Sequence, residues 1–477
     1  MAVQPKVKNP KLTLIAFQLR NSLESGDEPV ENASHLWTKC GEIGKSLNAY
    51  ESELESLIER LSTYKEWTDD VSNDYQELLP ERFVPFVGNL KPQIKGTFYP
   101  IQLHDTYAVD ITLYQPQTEV YISQLHQFVN PDYCLLPNNI QSDLGQTLIF
   151  FGEPVKCEDD RKFADDCVRG LLPTAEADKL SKNPSQGQLL GSPIFEYSTG
   201  DYHPERQTHL LIWLNTSEET RQLEEKGKYY QPLINLLCYR HKILYAYRQS
   251  RWCYHQAKTI FQALSPKAKT IEELTAENLD LHLESLKREL LELPNFSFRY
   301  VNLIQQIKIH LNTIKTNFKN YQYSLDNLRE IMVKEDSLEF CNQFIRRTEK
   351  KIIGQIEVDL EYLIPGQALF SELINTIRGL VEIEQAERDR SLEHTIQIWG
   401  AGLGAGGIVA SAVSGHLENG LIVKNEQNQN VLNPAIHGTI FLSLSAFILV
   451  GGIVGYFNGG LADLYRDLKN KFQKPKG

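Results

Sequence analysis

The chain has 477 residues, of which 41% are hydrophobic, and a formal net charge of −12 at pH 7. Its length exceeds that of one typical domain, so we expect two or three folded units with a sizeable core. The acidic balance disfavours general nucleic-acid binding, and a mean hydropathy of −0.36 limits any membrane-embedded part to a small fraction of the chain.

Residues 1–225 combine short apolar runs with helical stretches, which predicts an α+β cytosolic domain, that is, a mixed α/β domain. A helix is predicted over Ala33–Tyr64, and a long polar surface loop over Glu158–Gln188. No signal-peptide core is visible near Met1, so we expect this body in the cytosol. The strand-like runs are Leu12–Phe17, Phe83–Val87, Tyr107–Tyr114, Thr147–Phe151 and His209–Leu214.

The residues that usually carry enzyme chemistry form no recognisable pattern. Seven cysteines without a C-x-x-C pair favour buried, reduced thiols over a zinc site or a disulfide framework. Gly44-Lys45-Ser46 resembles the end of a phosphate-binding loop, but Lys39 stands where that loop requires its first glycine. Neither an H-x-x-x-H pair nor a G-x-S-x-G turn occurs. We therefore predict no enzyme, no catalytic residue and no cofactor except a possible divalent cation.

Residues 226–395 repeat apolar positions at helical spacing, which predicts a helical bundle and a long α-helical stalk. Pro266 and Pro294 punctuate the pattern, and Ile364-Pro-Gly366 predicts a break. Beyond that break, Gln367–Gly415 is expected to form one stalk helix that leads into a membrane segment.

One stretch of this bundle, Cys238–His255, interleaves cationic and aromatic side chains. Cations can bind phosphates while aromatic faces stack on bases, which makes this stretch a candidate ligand site. The alternative is an amphipathic helix whose aromatic side chains lie in the bundle core, and the pattern favours this alternative. The candidate ligand-binding residues are Arg240, Lys242, Tyr245, Arg248, Arg251 and Trp252.

Three carboxylates near the end of the stalk, Glu382, Asp389 and Glu393, share one helix face. In a symmetric oligomer each residue would form a ring that concentrates cations at the vestibule of a pore. The alternative is a solvated helix face with ordinary ion pairs between neighbouring turns, and this is again the interpretation that we favour.

Two uncharged segments, 396–415 and 436–457, are each about the length that a helix needs to cross a bilayer. They predict a C-terminal two-helix transmembrane hairpin, with an outer loop at 416–435 and a basic cytosolic tail at 458–477. Lys and Arg are concentrated outside the outer loop, so both termini are expected on the cytoplasmic side of an inner or plasma membrane.

The first segment contains a G-x-G-x-x-G match at Gly402, Gly404 and Gly407. Its flanks lack the strand and the amphipathic helix of a dinucleotide-binding turn, so we interpret the glycines as a helix-packing face. The residues of the two predicted packing faces are Gly400, Gly404, Gly407, Ser411 and Gly415 in the first segment and Gly451, Gly455 and Gly459 in the second.

The order of these parts resembles that of the CorA-like divalent-cation transporter superfamily. The resemblance covers the layout of most of the chain: an N-terminal mixed domain, long cytosolic helices, a stalk, two spans and a Lys-rich tail. The Gly-Met-Asn signature of that family is not present, because the only methionines are Met1 and Met332. The resemblance implies lipid-bilayer contact, a homo-oligomer and a divalent cation.

Two functions follow as expectations. The first is a homo-oligomeric, CorA-like ion-permeable channel or transporter that is regulated by its large cytosolic domain, since two spans alone cannot enclose a pore. The second is a signal-responsive membrane effector or anchor of a prokaryotic defence system, whose cytosolic domain binds a nucleotide messenger or a protein partner.

Overall fold

The structure is a computed structural model, and its described residues divide into two units. Unit 1 comprises Met1–Phe261 and Tyr300–Pro365, and unit 2 comprises Gln262–Arg299 and Gly366–Gly477. The residues that the structure describes are 5–22, 30–47, 58–59, 61, 75–87, 94–116, 118–129, 133–204, 206–272, 279–385, 422–424 and 430–432.

Unit 1 is built on a mixed sheet, to which ten strands of its described residues belong, in the order β2-β4-β5-β1-β7-β10-β9-β8, with β3 beside β4 and β6 beside β1. All neighbours on this path pair antiparallel except β7 and β10, which run parallel. The strands are β1 Lys6–Leu19, β2 Gln76–Glu77, β3 Val84–Val87, β4 Lys95–Leu103, β5 Thr106–Tyr114, β6 Glu119–Tyr121, β7 Gly145–Val155, β8 Ser185–Leu189, β9 Ser192–Ser198 and β10 His209–Leu214.

Helices and short turns connect these strands and continue the chain after them. The α-helices are α1 His35–Ser46, α2 Pro137–Ile140, α3 Asp160–Leu171, α4 Thr174–Ala177, α5 Glu218–Glu225, α6 Tyr230–Glu272, α7 Leu279–Arg329, α8 Glu339–Arg347 and α9 Gly354–Gln385. A 3₁₀ helix covers Ile122–Phe128, and a π-helical segment covers Thr348–Ile353 between α8 and α9. The α+β architecture predicted for the N-terminal region is therefore confirmed, and all five predicted strand-like runs fall in strands of the sheet or overlap them.

The two faces of the sheet differ in chemistry because side chains alternate along each strand. On the first face, apolar residues such as Leu14 and Phe150 join a buried core that includes Trp37 of α1 and Cys167 of α3. The second face carries polar residues among its apolar ones. Helix α6 packs on this face, where Tyr230 donates a hydrogen bond to Asp110 of β5 at 2.7 Å.

Unit 2 contains the end of α6, the start of α7 and the end of α9. Its helices are amphipathic: Leu264, Leu286 and Phe370 are buried, and Lys267 forms an ion pair with Glu289. A separate antiparallel hairpin, β11 Ile422–Lys424 with β12 Asn430–Leu432, lies within the predicted outer loop.

The membrane part of the predicted fold class is corrected by the helices of the structure. Across the described ranges, no helix has both the length and the apolar run that a bilayer crossing requires. This finding contradicts the C-terminal two-helix transmembrane hairpin and the inner- or plasma-membrane localisation. The three longest helices have 43, 51 and 32 residues, and charged side chains recur along each of them because only one face of an amphipathic helix is buried.

Several predicted features lie outside the described residues. They are the segments 396–415 and 436–457, the tail 458–477 and the packing residues Gly400, Gly404, Gly407, Ser411, Gly415, Gly451, Gly455 and Gly459.

The helices also continue through prolines at which the sequence predicted a break or punctuation. Helix α9 continues through Pro365, where we expected a break, and Pro266 and Pro294 lie inside α6 and α7. Proline removes one backbone donor but does not force a helix to end when packing of the neighbouring turns supports it.

The loop between α7 and α8 covers the edge strand β8. Gln188 and Ser337 exchange two backbone hydrogen bonds at 2.6 and 3.1 Å. The Asp336 carboxylate accepts from the backbone N–H groups of Leu190 and Gly191, both at 2.7 Å, and from that of Val333 at 3.0 Å. This arrangement satisfies an edge that would otherwise present unpaired backbone groups.

We predict that Asp336→Ala lowers the free energy of unfolding by roughly 2–3 kcal/mol, because three backbone donors lose a charged acceptor. Chemical denaturation of the full chain measures this change. Glu335→Ala, at an exposed neighbouring position, serves as the control, and equal stability of the two variants would contradict the role of the carboxylate.

Candidate functional site

A chain of buried polar side chains crosses the second face of the sheet. His209 of β10 lies between Glu196 of β9 and Thr147 of β7, with its Nε2 atom 3.0 Å from Glu196 Oε1 and its Nδ1 atom 2.8 Å from Thr147 Oγ1. His241 of α6 reaches the same hydroxyl with its Nε2 atom at 2.9 Å. The network therefore joins three strands to one helix.

This network contains the carboxylate, imidazole and hydroxyl order of a nucleophilic triad. The Thr147 hydroxyl, however, belongs to a residue with 0% exposed surface and contacts two imidazoles. A nucleophile must reach a substrate carbonyl, and this one is enclosed by the sheet and α6. We interpret the network as a structural support for the charged groups beside it.

Arg240, the residue before His241, is the buried cation of the site. It is 5% exposed, its Nη2 atom lies 3.5 Å from Glu196 Oε1, and its guanidinium lies 5.3 Å from the ring centre of Phe344 in α8. Within the described part of the chain, its Nε and Nη1 atoms are buried without a hydrogen-bond partner. A buried guanidinium whose donors lack an acceptor is costly.

A second guanidinium, from Arg347 at the end of α8, completes what we call the arginine cluster: Glu196, Arg240, Arg347 and Tyr202. Arg347 donates to the Tyr202 hydroxyl and lies over that ring at 5.1 Å. The Tyr202 ring contacts the Tyr247 ring edge-on at 5.1 Å. Arg347, Tyr202 and Tyr247 are half-buried, so they form the more accessible side of the cluster.

The charges of the cluster follow from burial and from its pairing. Burial by itself would raise the pKa of Glu196, but the His209 hydrogen bond and the charges of Arg240 and Arg347 lower it overall. Burial, with the nearby Arg240 charge, lowers the pKa of His209 to about 4 and that of His241 well below 6.5. At neutral pH the imidazoles are uncharged, and two guanidinium groups face one carboxylate.

The residues that the sequence proposed for ligand binding are distributed around α6. Arg240 belongs to the arginine cluster, whereas Lys242 is 4% exposed and forms an ion pair with Asp105. Arg251 forms an ion pair with Asp359. The other three candidates are Arg248, which lies over the ring of Tyr245 at 5.1 Å, Tyr245 itself, and Trp252, which is 54% exposed.

The acidic vestibule candidates are only partly described. Glu382 is exposed and accepts from Arg378 at 2.8 Å, while Asp389 and Glu393 lie outside the described residues. The described ranges contain no group of three or more potential metal ligands. All seven cysteines lie in the described residues and none of them forms a disulfide bond; all but Cys157 are buried.

Comparisons with known proteins do not extend this picture: no protein-family model, no curated protein and no solved structure matches the chain.

The sequence did not identify Glu196, Tyr202 or Arg347 as site residues. Each comes from a different element, and no local spacing connects them with Arg240. The one available signal was the pair Arg346-Arg347 beside the apolar Phe344, which places a cation next to a buried helix face.

We predict that the free energy of unfolding decreases as the pH is lowered below 6.5. The reason is that His209 takes up a proton at a higher pH in the unfolded chain than in the folded protein. The stabilisation that comes from keeping this histidine neutral is fully present above pH 6.5. It is lost progressively toward pH 4, at about 1.4 kcal/mol per pH unit for each such histidine. Denaturation curves across this range measure the slope.

The variant for this test is His209→Gln, which removes one titrating group and should make the slope shallower by about that amount. His126→Gln, at an exposed histidine, is the control and should leave the slope unchanged. An unchanged slope in His209→Gln would show that this imidazole does not remain neutral in the folded state.

Proposed function

We propose that the chain is a ligand-responsive signalling protein whose α+β unit binds a small phosphate-bearing ligand, of the nucleotide-messenger class, at the arginine cluster. This proposal develops the second of the two functions that the sequence suggests. It concerns residues that all lie in unit 1.

The observation that carries the proposal is the pair of unused donors on Arg240. Its Nε and Nη1 atoms find no acceptor among the described residues, although the side chain is 5% exposed. Removing one partner of a buried charge leaves a penalty of several kcal/mol. An anion that accepts from these donors would offset that penalty, so the cluster is more stable with an anionic ligand than without one.

The chemistry of the cluster favours phosphate over other anions. Guanidinium groups present planar donors that match phosphate oxygens, and the hydrogen bonds are strengthened by charge. The hydroxyl of Thr348, the residue after Arg347, is also buried and has no partner in the described part of the chain. Arg240 and Arg347 supply two cations for one tetrahedral anion.

The accessible side of the cluster adds an aromatic component. Tyr202 and Tyr247 are half-buried and contact each other edge-on. Aromatic rings and arginine planes bind nucleobases by stacking, with little dependence on base identity. The local positive charge is compatible with the net charge of −12, because binding depends on the field at the site rather than on the total.

The test measures binding of phosphate-bearing probes to the full chain by calorimetry and thermal shift. We expect nucleotides and pyrophosphate to raise the melting temperature, since a ligand that binds only the folded state stabilises it. Adenosine serves as the uncharged control and should bind more weakly. Failure of every phosphate probe to bind would overturn the proposed function.

Two variants assign the binding to the cluster. Arg347→Met should weaken binding roughly 10- to 100-fold, the equivalent of losing one charged hydrogen bond. Arg346→Met is the matched control, because the adjacent side chain forms an ion pair with Glu339 on the surface of α8. Equal weakening by both variants would indicate a general charge effect.

A further inference from the structure

A row of aromatic and cationic side chains continues from the arginine cluster along helix α6, within unit 1. Starting from Arg240, its members follow at spacings of seven, four, three and four residues, which put them on one face of the helix. The first member touches Tyr202 of the cluster, ring edge to ring face, at 5.1 Å. We call this row the α6 stripe, and its residues are Tyr247, Arg251, Tyr254 and Lys258.

Cations lie over aromatic rings at both ends of this surface. The Arg251 guanidinium lies 4.4 Å from the ring centre of Tyr254, and Lys258 Nζ lies 5.8 Å from the same centre. At the cluster, the Arg347 guanidinium lies over Tyr202 at 5.1 Å. Flat rings and guanidinium planes of this kind are the groups on which nucleobases stack.

The rings of the stripe are not core aromatics. Tyr300 and Tyr321 of α7 are buried, with 0% and 1% of their surface exposed. Tyr247 and Tyr254, by contrast, are half-buried, as are the two cations of the stripe. One side of each ring therefore packs on the protein while part of its surface remains accessible to a ligand.

The charges are arranged at the ends of the stripe. In its middle, Arg251 forms an ion pair with Asp359 of α9, which offsets the charge of the guanidinium and fixes it beside the Tyr254 ring. The arginine cluster supplies cations at one end, and Lys258 supplies a further cation at the other. A ligand that fits this order carries phosphate at its ends and flat apolar groups between them.

The length of the stripe exceeds that of one nucleotide. Tyr247 and Tyr254 are seven residues apart, which corresponds to about 10 Å along an α-helix. A mononucleotide carries one base and cannot stack on both rings. A stacked strand advances about 3.4 Å per nucleotide, so three or four linked nucleotides span the two rings.

We infer that the arginine cluster and the α6 stripe form one site for a short single-stranded oligonucleotide, with its terminal phosphate at the cluster and its bases on Tyr247 and Tyr254. This inference rests on the proposed function, because it names the ligand class of the same site. Stacking depends little on base identity, so the site selects the length of the ligand more than its sequence.

The experiment measures binding of 5′-phosphorylated oligodeoxyadenylates of one to six nucleotides to the full chain by calorimetry. We expect Kd to fall about 10- to 100-fold between one and four nucleotides, because further bases reach the rings of the stripe. Beyond about four nucleotides Kd should stay constant, since the stripe ends at Lys258.

Two variants assign this gain to the stripe. Tyr254→Leu should remove most of the gain in affinity with length and leave pyrophosphate binding unchanged, whereas Tyr323→Leu, at a 69% exposed ring on α7, should change neither. Lys258→Met tests the same surface without removing a ring. It should reduce the salt dependence of tetranucleotide binding by about one phosphate contact, and Lys319→Met, at an exposed position, is its control.

The outcomes separate the two proposals. An affinity that does not depend on length, in a chain that binds pyrophosphate, overturns the inference and leaves the proposed function standing. A gain with length that survives both Tyr254→Leu and Lys258→Met, or that continues to rise through six nucleotides, also overturns the inference. Tetranucleotide binding that depends on Tyr254 but not on Arg347 would instead overturn the proposed function and leave base stacking on the stripe standing.

Discussion

The burial of polar groups in the centre of the sheet constrains the rest of unit 1. Thr147 and His209 are buried, Glu196 is half-buried, and the three lie on neighbouring strands, where an unpaired polar group would be costly. Helix α6 supplies His241 and Arg240, which are consecutive residues. A rotation of α6 by one residue would leave both the helix and the sheet with unpaired groups, so the network fixes how the helix docks.

This constraint also explains why charge accumulates on one side. Arg240 pairs with the half-buried carboxylate of Glu196, the charge of Arg347 also lowers the pKa of that carboxyl, and the neighbouring imidazoles remain neutral. Arg347 contributes its charge from the end of α8, directly before the π turn. The same few residues therefore fix the docking of the helix, produce an excess of positive charge and mark the start of an irregular helical turn.

The long helices show how tertiary packing overrides a local signal. Pro266, Pro294 and Pro365 each predict punctuation, yet α6, α7 and α9 continue through them. Each proline removes one backbone hydrogen bond, whereas buried residues on both sides, such as Leu363 and Phe370 around Pro365, keep the helix together. The membrane hairpin was predicted by counting uncharged residues in 396–415 and 436–457, and such a count contains no information on tertiary contacts. The apolar residues of the described helices lie on one buried face, and none of these helices has the length and apolar run that a bilayer crossing requires.

The sequence by itself determined the elements whose signal is local. The run His209–Leu214 coincides with β10, the other strand-like runs lie in strands or overlap them, and the cysteines are mostly buried and form no disulfide bond. Apolar periodicity reports on which residues of a strand are buried, and the spacing of the cysteines argued against a zinc site or disulfide framework. Both are local signals, so these features could be predicted. The strand order, the parallel pairing of β7 with β10 and the meeting of Glu196, Arg240 and Arg347 were decided only by the tertiary structure. Contacts between residues far apart in the chain depend on how whole elements dock, and no local pattern records which buried carboxylate a given arginine will face.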